Sequence, residues 1–387
     1  ARMMEEAGQS KSRYVRIADR AARIYAPAVH LLAALSFAGW MIAGAGWHEA
    51  LLIAVAVLII TCPCALGLAV PAAQIVSAGA LMRKGILVKD GSALERLSEV
   101  NRAFFDKTGT LTLGRPDPTN IDVLDADQAG VALALARASR HPLSQSLRAA
   151  LDARAVVAAR VNDIQEMPGF GVQGLWQGQP VSLGRPDQPV SGSALMVELK
   201  LPAARVVLTF EDALRPDAAP TIRALAALGI DSAILSGDRA AAVAPVARRL
   251  GLMAQTGLHP EDKLAALARA TAQGAKVLMV GDGLNDGPAL AAGHASLAPA
   301  SASDAGQNAA DAVFLGDSLS PVVTAIQVAR ATQRIVRQNF VIAIGYNAIA
   351  VPLAIAGLVT PLIAALAMSG SSLIVVANAL RLKGAAK

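Results

Sequence analysis

The apolar residues of this chain lie in two pairs of long runs, and this arrangement is its strongest structural constraint. The runs cover residues 24–44, 50–70, 340–358 and 360–380. Each is long enough to cross a membrane as a helix, which takes roughly 20 residues. The segments that join the members of a pair, "AGWHEA" and "GLVTP", contain no Lys or Arg. We therefore predict two membrane hairpins on either side of the polar segment 81–333.

The charges at the other ends of these runs predict the orientation of the hairpins. Cytoplasmic ends of membrane helices carry an excess of Lys and Arg. The basic residues at these ends are Arg13, Arg16, Arg20, Arg23, Arg83, Lys84, Lys89, Arg334, Arg337, Arg381 and Lys383. We expect an integral protein of the bacterial plasma membrane, in contact with lipid, whose middle segment is cytoplasmic. The alternative, four core helices of a soluble protein, does not explain the matching charged flanks.

Composition argues against nucleic acid as a partner. The net charge is +6, but the basic residues are spread along the chain, with only three Tyr and three Trp. A nucleic-acid-binding face usually clusters Lys and Arg on one surface, together with aromatic residues. We therefore expect no nucleic-acid partner.

The segment "IITCPCALGLAVP" at residues 59–71 holds the only two cysteines of the chain, Cys62 and Cys64. Pro63 between them removes a backbone donor and interrupts the helix. Inside a membrane such a break is tolerated only where the freed groups are buried in protein or line a cavity. Two thiols beside unwound backbone favour a soft ion such as Cu(I). We expect free thiols, because the cavity opens to a reducing cytoplasm. A kinked helix with two inert small residues is the alternative.

The middle segment alternates strand and helix patterns, which is typical of a parallel sheet. Four apolar strands run into acidic residues, in "VNRAFFDKTGTLT", "RVVLTFED", "DSAILSGD" and "AKVLMVGDGLNDGP". The carboxyl ends of parallel strands meet at one edge, where ligands bind, and clustered carboxylates suit Mg²⁺. The residues expected to meet there are Asp106, Asp212, Asp238, Asp282 and Asp286. One Gly-Asp turn alone would be an ordinary loop.

Three motifs together resemble the heavy-metal-transporting P-type ATPases: "CPC" at 62–64, "DKTGTLT" at 106–112 and "GDGLNDGP" at 281–288. Their order and spacing and the two hairpins match that family over essentially the whole chain. The resemblance implies membrane α-helical hairpins and a cytoplasmic α/β part. This part would be a haloacid-dehalogenase-like (Rossmann-like) phosphorylation domain with an inserted α+β nucleotide-binding domain.

The resemblance implies the following domains. They are a cytoplasmic stalk (1–23), two transmembrane helices with the CPC motif (24–80), the first part of the phosphorylation domain (81–113), the nucleotide-binding domain (114–204), the second part of the phosphorylation domain (205–333), two transmembrane helices (334–381) and a tail (382–387).

The resemblance also implies that Asp106 attacks the γ-phosphoryl group of ATP and forms an aspartyl-phosphate, which splits one hard step into two. Lys107 and Lys263 would neutralise the phosphoryl oxygens, and the hydroxyls of Thr110 and Ser236 would donate to them. The implied catalytic residues are Asp106, Lys107, Thr108, Thr110, Ser236 and Lys263. The implied Mg²⁺ ligands are Asp106, the Thr108 backbone carbonyl, Asp282 and Asp286. Asp212, Asp238 and Asn285 are the implied residues around the ATP phosphates.

Adenine recognition resembles the family only in part. The segments "SRHPLSQSL" and "PGFGVQG" supply the implied ATP contacts His141, Pro142, Gly169 and Gly171. The acid that the family carries five residues before the His is Ala136 here, and Arg140 replaces the Glu just before it. We expect weaker ATP binding or an altered adenine contact. The Arg-His-Pro variant resembles copper pumps linked to cytochrome oxidase assembly.

The last hairpin favours a soft monovalent ion. The ligands implied by resemblance to the copper(I) and silver subgroup are Cys62, Cys64, Tyr346, Asn347, Met368 and Ser372. Met368 and Ser372 are four residues apart and share a helix face, and thiolate with thioether favours Cu(I) over Zn²⁺. Both last runs lack the charged residue expected of a zinc or cadmium pump. Hydrogen bonding between helices is the alternative role of the Tyr, Asn and Ser.

The chain contains no Thr-Gly-Glu sequence, which the family carries on its actuator domain to position water for dephosphorylation. The first residues, "ARMMEEAGQSKSRYVR", are not a signal peptide. We expect the carboxy-terminal portion of a longer pump, not competent for turnover by itself, supplied with metal by a small copper chaperone.

Three competing functions remain open at this point. One is a zinc- or cadmium-transporting P-type ATPase. Another is a membrane-tethered phosphohydrolase of the same superfamily, which would usually carry a second Asp where Thr108 stands. The last, a non-catalytic metal-binding membrane protein, leaves "DKTGTLT" without a role.

Overall fold

The structure, a computed structural model, describes residues 17–62, 64–167, 170–186, 195–283 and 286–385. Two predicted site residues, Gly169 and Asn285, lie outside the described residues, as does Pro63 of the CPC motif.

Three apolar helices form the first part of the chain: α1 (Ile17–Ile42), α2 (Trp47–Ile60) and α3 (Cys64–Met82). The interruption predicted at the CPC motif is confirmed, since α2 ends before it and α3 begins at Cys64. The Thr61 hydroxyl donates to the Val57 carbonyl (2.6 Å) at the end of α2. The second of these helices continues beyond the predicted apolar run 50–70, to Met82.

The cytoplasmic part begins with β1 (Ile86–Val88) and ends with β13 (Ala312–Phe314). The elements between them are α4 (Gly91–Glu99), β2 (Arg102–Phe105), a wide turn (Lys107–Leu111), β3 (Thr112–Pro118), a 3₁₀ turn (Ile121–Val123), α5 (Ala126–Arg137), α6 (Pro142–Ala153), β4 (Val161–Met167), β5 (Gly171–Trp176), β6 (Gln179–Gly184), β7 (Leu195–Lys200), β8 (Arg205–Leu214), α7 (Ala218–Ala227), β9 (Asp231–Leu235), α8 (Ala240–Leu250), β10 (Met253–Gln255), α9 (Pro260–Ala272), β11 (Val277–Val280), α10 (Gly287–Ala292), β12 (Ala295–Pro299) and α11 (Asp304–Ala309).

The predicted parallel sheet is confirmed. Its strand order is β1-β13-β12-β11-β2-β9-β10, and every neighbouring pair is parallel except β1 with β13. The central strands are largely apolar, and all four residues of β11 are buried, as expected where helices cover both faces of such a sheet. Strands β2 and β11 are adjacent, so that the segments after Phe105 and Val280 lie side by side.

A second sheet is antiparallel, with the order β3-β8-β7-β6-β5-β4. Helices α5 and α6 pack on it through a core that includes Leu133, Leu147 and Phe210. The prediction that "RVVLTFED" is a strand of the parallel sheet is wrong. This segment forms β8, which pairs antiparallel with β3 and β7. The alternation of strands and helices along the sequence did not show which sheet β8 joins. In sequence, β8 lies between β7 of the antiparallel sheet and β9 of the parallel sheet.

Two further helices end the chain: α12 (Ser320–Ile355) and α13 (Pro361–Leu380), followed by a 3₁₀ turn (Arg381–Gly384). Among the described residues, Ser320–Ile355 and Pro361–Gly384 are long and apolar enough to cross a membrane. The apolar parts of the first three helices are shorter and cover Pro27–Ile42, Trp47–Ile60 and Gly67–Met82.

Helix α12 joins the cytoplasmic part to the membrane helices. At 36 residues it is about 54 Å long at 1.5 Å per residue. The Asp217 carboxylate accepts from the Leu319 and Ser320 amides (2.8 Å each) at its start. Val322 and Ile326 belong to the core of the parallel-sheet unit. The first turns of α12 are therefore fixed to that unit.

Helix α3, which starts at the second cysteine, is also held to the cytoplasmic part. The buried hydroxyls of Ser77 and Thr332 are 2.6 Å apart, which links α3 to α12. The Gln74 side chain donates to the Gly91 carbonyl and to Glu95 of α4 (3.0 Å each).

Candidate functional site

A buried cluster of charged side chains lies where β2 and β11 end. Asp106 directly follows β2, Asp286 precedes α10, and Lys263 lies on α9. The Lys263 ammonium donates to Asp106 Oδ1 (2.7 Å) and to Asp286 Oδ1 (2.5 Å). All three are buried: Asp106 is 7% exposed, Asp286 is 1% exposed and Lys263 is 3% exposed. The arrangement leaves Oδ2 as the Asp106 oxygen that Lys263 does not hold.

The pKa values of these groups follow from burial and from the neighbouring charges. Burial, together with the Asp286 charge, raises the pKa of Asp106 to about 6. Burial likewise raises the pKa of Asp286. Burial opposes the charged form of Lys263, but the two carboxylates outweigh it and raise its pKa. Lys263 is therefore a permanent cation, and Asp106 is ionised at neutral pH.

The carboxylates of Asp106, Asp282 and Asp286 fit a divalent cation. One oxygen of each lies within 4.8 Å of the others. When all three carboxylates are ionised and Lys263 is protonated, these four side chains have a net charge of −2. Oxygen ligands are those that Mg²⁺ takes. The donor set and its charge therefore suit Mg²⁺, the ion predicted here.

The loop that carries Asp282 depends on close backbone packing. A methyl group on Gly283 (φ +77°) would overlap the Gly306 backbone, and one on Gly109 (φ +70°) would lie 2.9 Å from Asp282 Oδ2. Only glycine combines this conformation with so close an approach. The Asp282 carbonyl accepts from the Ser303 amide (3.0 Å). Gly306 was not predicted as part of the site, because nothing near it in the sequence indicates a contact with the "GDGLNDGP" loop.

Around these carboxylates is a cavity of about 410 Å³ that includes Thr108, Ser236, Asp238 and His259. Ser236 is 2% exposed, and its hydroxyl accepts from the Asp238 amide (3.1 Å). The Thr110 hydroxyl, in the loop after Asp106, is fully buried and makes no hydrogen bond with the described residues. A buried hydroxyl of this kind is costly unless a ligand satisfies it. Sequence reasoning missed His259, since a lone His before a Pro gives no signal.

The residues that follow Asp106 are held by partners of their own. The Lys107 ammonium pairs with Asp238 (2.5 Å), and the Thr108 hydroxyl donates to the same carboxylate (3.3 Å). Asp238, which follows β9, thus contacts two residues of the turn Lys107–Leu111.

Arg215 is a further residue that sequence reasoning missed. It is 2% exposed, and its guanidinium donates to the carbonyls of Thr110 (2.7 Å), Gly109 (3.1 Å) and Gly316 (3.2 Å). These bonds fix the backbone of the loop that follows Asp106. A single Arg after a strand carries no signal of such a role.

Asp212 does not lie with the other carboxylates, so this part of the predicted cluster is wrong. It lies on β8 of the antiparallel sheet and accepts a hydrogen bond from the Thr112 hydroxyl (2.5 Å). Burial raises its pKa. Its strand pairs with β3, which places Asp212 beside the end of the turn Lys107–Leu111. Asp212 lies outside the lining of the 410 Å³ cavity.

A second cavity, of about 620 Å³, lies against the antiparallel sheet. Of the predicted ATP contacts, His141 and Gly171 line it, whereas Pro142 starts α6 and is not part of the lining. The His141 Nδ1 atom accepts from the Leu143 amide (3.3 Å) and caps α6. The other ring nitrogen, Nε2, is the one left for a nucleotide.

Several other residues of this cavity were not predicted as ATP contacts. They are Ser139, Glu166, Met167, Phe170, Gly184 and Arg185, from the loop before α6, from the β4–β5 hairpin and from the end of β6. Gly184 is paired with Gly171, and a methyl group on either would overlap the facing backbone. Ala136 is 1% exposed within the core of this unit, and Arg140 is exposed. Neither belongs to the lining.

The predicted metal ligands lie on membrane helices that pack together. Ala65 and Ala69 of α3, Ala343 of α12 and Val375 of α13 form one buried cluster. Ala65 follows Cys64 directly. Tyr346 and Asn347 follow Ala343 by three and four residues, and Ser372 precedes Val375 by three. Residues three or four apart share a helix face, so Tyr346, Asn347 and Ser372 lie on the helix faces that carry this cluster. The buried Tyr346 hydroxyl has no hydrogen-bond partner among the described residues.

The expectation of two free thiols is wrong, because a disulfide joins Cys62 and Cys64. The interruption of the helix places their Cα atoms 5.5 Å apart, which is within the range that a disulfide spans. In this form neither sulfur is the thiolate that binds a soft ion. A metal site at these residues therefore requires their reduction.

Comparison with known proteins agrees with the geometry of the site. The haloacid dehalogenase-like hydrolase family matches residues 100–294. The nitrogen fixation protein FixI of Rhizobium leguminosarum bv. viciae is 50% identical, over 100% of this chain and 52% of its own. The copper-exporting P-type ATPase of Mycobacterium tuberculosis is 37% identical, over 99% of this chain and 53% of its own. The chain spans about half the length of these relatives.

A solved structure of a zinc-transporting PIB-type ATPase in the E2.Pi state is also similar. It has a TM-score of 0.82 and 33% sequence identity, and the match covers 98% of this chain and 66% of the other. The similarity therefore includes the membrane helices as well as the cytoplasmic part.

Proposed function

The chain belongs to the heavy-metal-transporting P-type ATPases, within the haloacid dehalogenase-like hydrolases, and from this membership we propose that it exports Cu(I) by ATP hydrolysis. Ag(I), an equally soft monovalent ion, would share the route. The membrane concerned is the bacterial plasma membrane, with both sheets on the cytoplasmic side. The observation that carries the proposal is the buried Asp106–Lys263–Asp286 cluster in a chain whose membrane helix is interrupted by two cysteines.

The chemical step is attack by the free Asp106 oxygen on the γ-phosphorus of ATP. The bond from Asp106 Oδ2 to phosphorus forms, the bond to the β–γ bridging oxygen breaks, and ADP leaves. Lys263 holds Oδ1 (2.7 Å) and so aims Oδ2 into the cavity. Ser236 belongs to the lining of this cavity, whereas the buried Thr110 hydroxyl lies behind it. Both hydroxyls would donate to the oxygens of the transferred group. Such positioning and charge compensation supply most of the catalysis in phosphoryl transfer.

The Mg²⁺ ion would be held by Asp106, the Thr108 carbonyl, Asp282 and Asp286. When bound, it neutralises charge between the carboxylates and the phosphoryl oxygens. Lys107 and Asp238 remain proposed contacts of the phosphate chain, whereas Asp212 lies outside the lining of this cavity.

ATP would have to join the two cytoplasmic units. None of the residues that line the 620 Å³ cavity also lines the 410 Å³ cavity. A nucleotide held at His141 would therefore extend its triphosphate from the first cavity toward Asp106, and closure of the two units on it is part of the proposal. The same closure would be sensed by α12, whose first turns belong to the core of the latter unit.

The choice of ion rests on the membrane residues. Residues 340–380 contain no Asp, Glu, Lys, Arg or His, and the proposed ligands Cys62, Cys64 and Met368 are soft. Tyr346, Asn347 and Ser372 complete the proposed set. Zn²⁺ is the second candidate, because the similar structure is that of a zinc-transporting ATPase. Delivery of the ion by a small copper chaperone is part of the proposal.

The test uses the whole protein in membrane vesicles under a thiol reductant. Cu(I) should stimulate ATP hydrolysis more than Zn²⁺, and Cys62→Ser with Cys64→Ser should remove the stimulation, because hydroxyls are weak ligands for Cu(I). Thr61→Ser keeps a hydroxyl at the adjacent position and is the matched control. Labelling by inorganic phosphate should persist in the cysteine variant. Greater stimulation by Zn²⁺ would refute the choice of metal.

A further inference from the structure

The nucleotide cavity contains a carboxylate that no family motif predicts. Its inner wall is apolar and buried, with Leu143, Leu183 and Val197 at 7%, 1% and 6% exposure. Among the described lining residues, Glu166 is the only carboxylate. Apolar walls with a few placed polar groups are typical of sites that select one ligand.

Glu166 is an exposed residue of β4, and a short relay ties its carboxylate to the loop before α6. The hydroxyl of Ser139, itself 9% exposed, donates to Glu166 Oε1 (2.7 Å). The same hydroxyl oxygen accepts from the His141 amide (3.1 Å). The carboxylate is thus linked through Ser139 to the backbone of His141. One hydrogen bond positions Oε1, which leaves Oε2 as the oxygen that a ligand can use.

The acid that the family carries five residues before the His is absent here, since Ala136 stands at that position and packs in the core. We propose that Glu166 instead recognises the base, by accepting a hydrogen bond from the 6-amino group of adenine. This inference rests on the proposed function and names the group that selects ATP among nucleoside triphosphates.

The base and not the ribose is the expected partner for a geometric reason. The triphosphate is charged and favours hydrated surroundings, so the planar base takes the buried part of the cavity. Ser139 and Ser144, at 9% and 6% exposure, belong to that buried part, and Glu166 is bonded to the first of them. A 6-oxo purine would present an acceptor to this carboxylate, so ITP should bind less tightly than ATP.

The test is equilibrium binding of ATP, ITP and 2′-deoxy-ATP to the whole protein in detergent, with phosphoenzyme formation measured in parallel. A hydrogen bond to a charged group corresponds to roughly a 10- to 100-fold preference for ATP over ITP. Glu166→Ala should bring the ATP/ITP ratio close to one by weakening ATP alone. Glu166→Gln should also do so, because its amide can accept from a 6-amino group or donate to a 6-oxo group. Ser139→Ala, which frees the carboxylate, should lower the ratio partly.

Asp163→Asn is the matched control, since it removes an exposed carboxylate from the same strand outside the cavity. Its ATP/ITP ratio should equal that of the wild type. An unchanged ratio in both Glu166 variants would overturn the inference, as would a change confined to the ATP/2′-deoxy-ATP ratio, which would assign Glu166 to the ribose. If ITP and ATP form phosphoenzyme equally well in the wild type, the inference fails while the proposed function stands. If both nucleotides bind as expected but no phosphoenzyme forms, the proposed function fails instead.

Discussion

Replacing Asp106 by Asn should stabilise the parallel-sheet unit when Mg²⁺ is absent. Burial and the Asp286 charge raise the pKa of Asp106 from 3.8 to about 6. A carboxyl group whose pKa is raised by folding is costly to ionise in the folded state. For this shift the cost at pH 7 is about 3 kcal/mol of the free energy of unfolding. Asn carries no charge, and its oxygen can still accept from Lys263, so the variant should recover about this amount.

The stability difference between Asp106→Asn and the wild type should depend on pH, in a direction set by the raised pKa of Asp106. As the pH falls through 6 toward 3.8, the folded wild type takes up the Asp106 proton before the unfolded chain does. The wild type therefore gains stability over that range, and the advantage of Asp106→Asn should disappear near pH 4. Saturating Mg²⁺ should also reduce it, since the ion stabilises the folded wild type through its carboxylates.

Hydrogen exchange of peptides from β2 and β11 in a chelator reports the free energy of opening of this sheet. Wild type and variant are compared at the same pH, between pH 4 and pH 8. Asp231→Asn is the control, because Asp231 forms an exposed pair with Arg102 at the start of the neighbouring strand, and such pairs contribute little. Lower protection of Asp106→Asn at pH 7, or an advantage that persists at pH 4, would refute the charge argument.

Two further variants test the nucleotide cavity. His141→Gln should lower the affinity for ATP by roughly tenfold, because one hydrogen bond is lost. A higher ATP concentration should then restore the full amount of phosphoenzyme, as expected when only ground-state binding is lost. A defect that saturating ATP does not repair would place His141 in the chemical step. Gly184→Ala should abolish ATP binding, because the methyl group would overlap the Phe170 carbonyl. Labelling of the protein by inorganic phosphate should continue. A normal affinity for ATP, measured by titration calorimetry, would show that this cavity is not the nucleotide site.

The meeting of the three carboxylates Asp106, Asp282 and Asp286 was predictable because they follow strands of one parallel sheet. Asp106 follows β2 and Asp282 follows β11, and adjacent parallel strands bring such positions together without any knowledge of loops. The same reasoning failed for Asp212. Its strand has the apolar pattern and the acidic end of the others, but it pairs antiparallel with β3, and pattern alone does not say which sheet a strand joins.

The nucleotide cavity was less predictable. His141 and Gly171 occur in recognisable segments, whereas Glu166 and Gly184 enter the site only through the register of β4, β5 and β6. Cross-strand register depends on hairpin geometry that single residues do not reveal. In the membrane part, the interruption at the cysteines followed from Pro63, but the length of α3 did not. Its last turns are held by polar contacts of Gln74 and Ser77 with α4 and α12, which hydropathy does not record.

The central claim is that Asp106 carries the phosphoryl group, and acid-stable labelling tests it most directly. The whole protein is incubated with γ-³²P-ATP and Mg²⁺, quenched in acid, and treated with hydroxylamine, which cleaves an acyl-phosphate. We predict a hydroxylamine-sensitive label whose peptide contains Asp106 and which is absent from Asp106→Asn, because an amide cannot act as the nucleophile. A label that survives in Asp106→Asn, or that hydroxylamine does not remove, would contradict the assignment of Asp106 and with it the proposed pump.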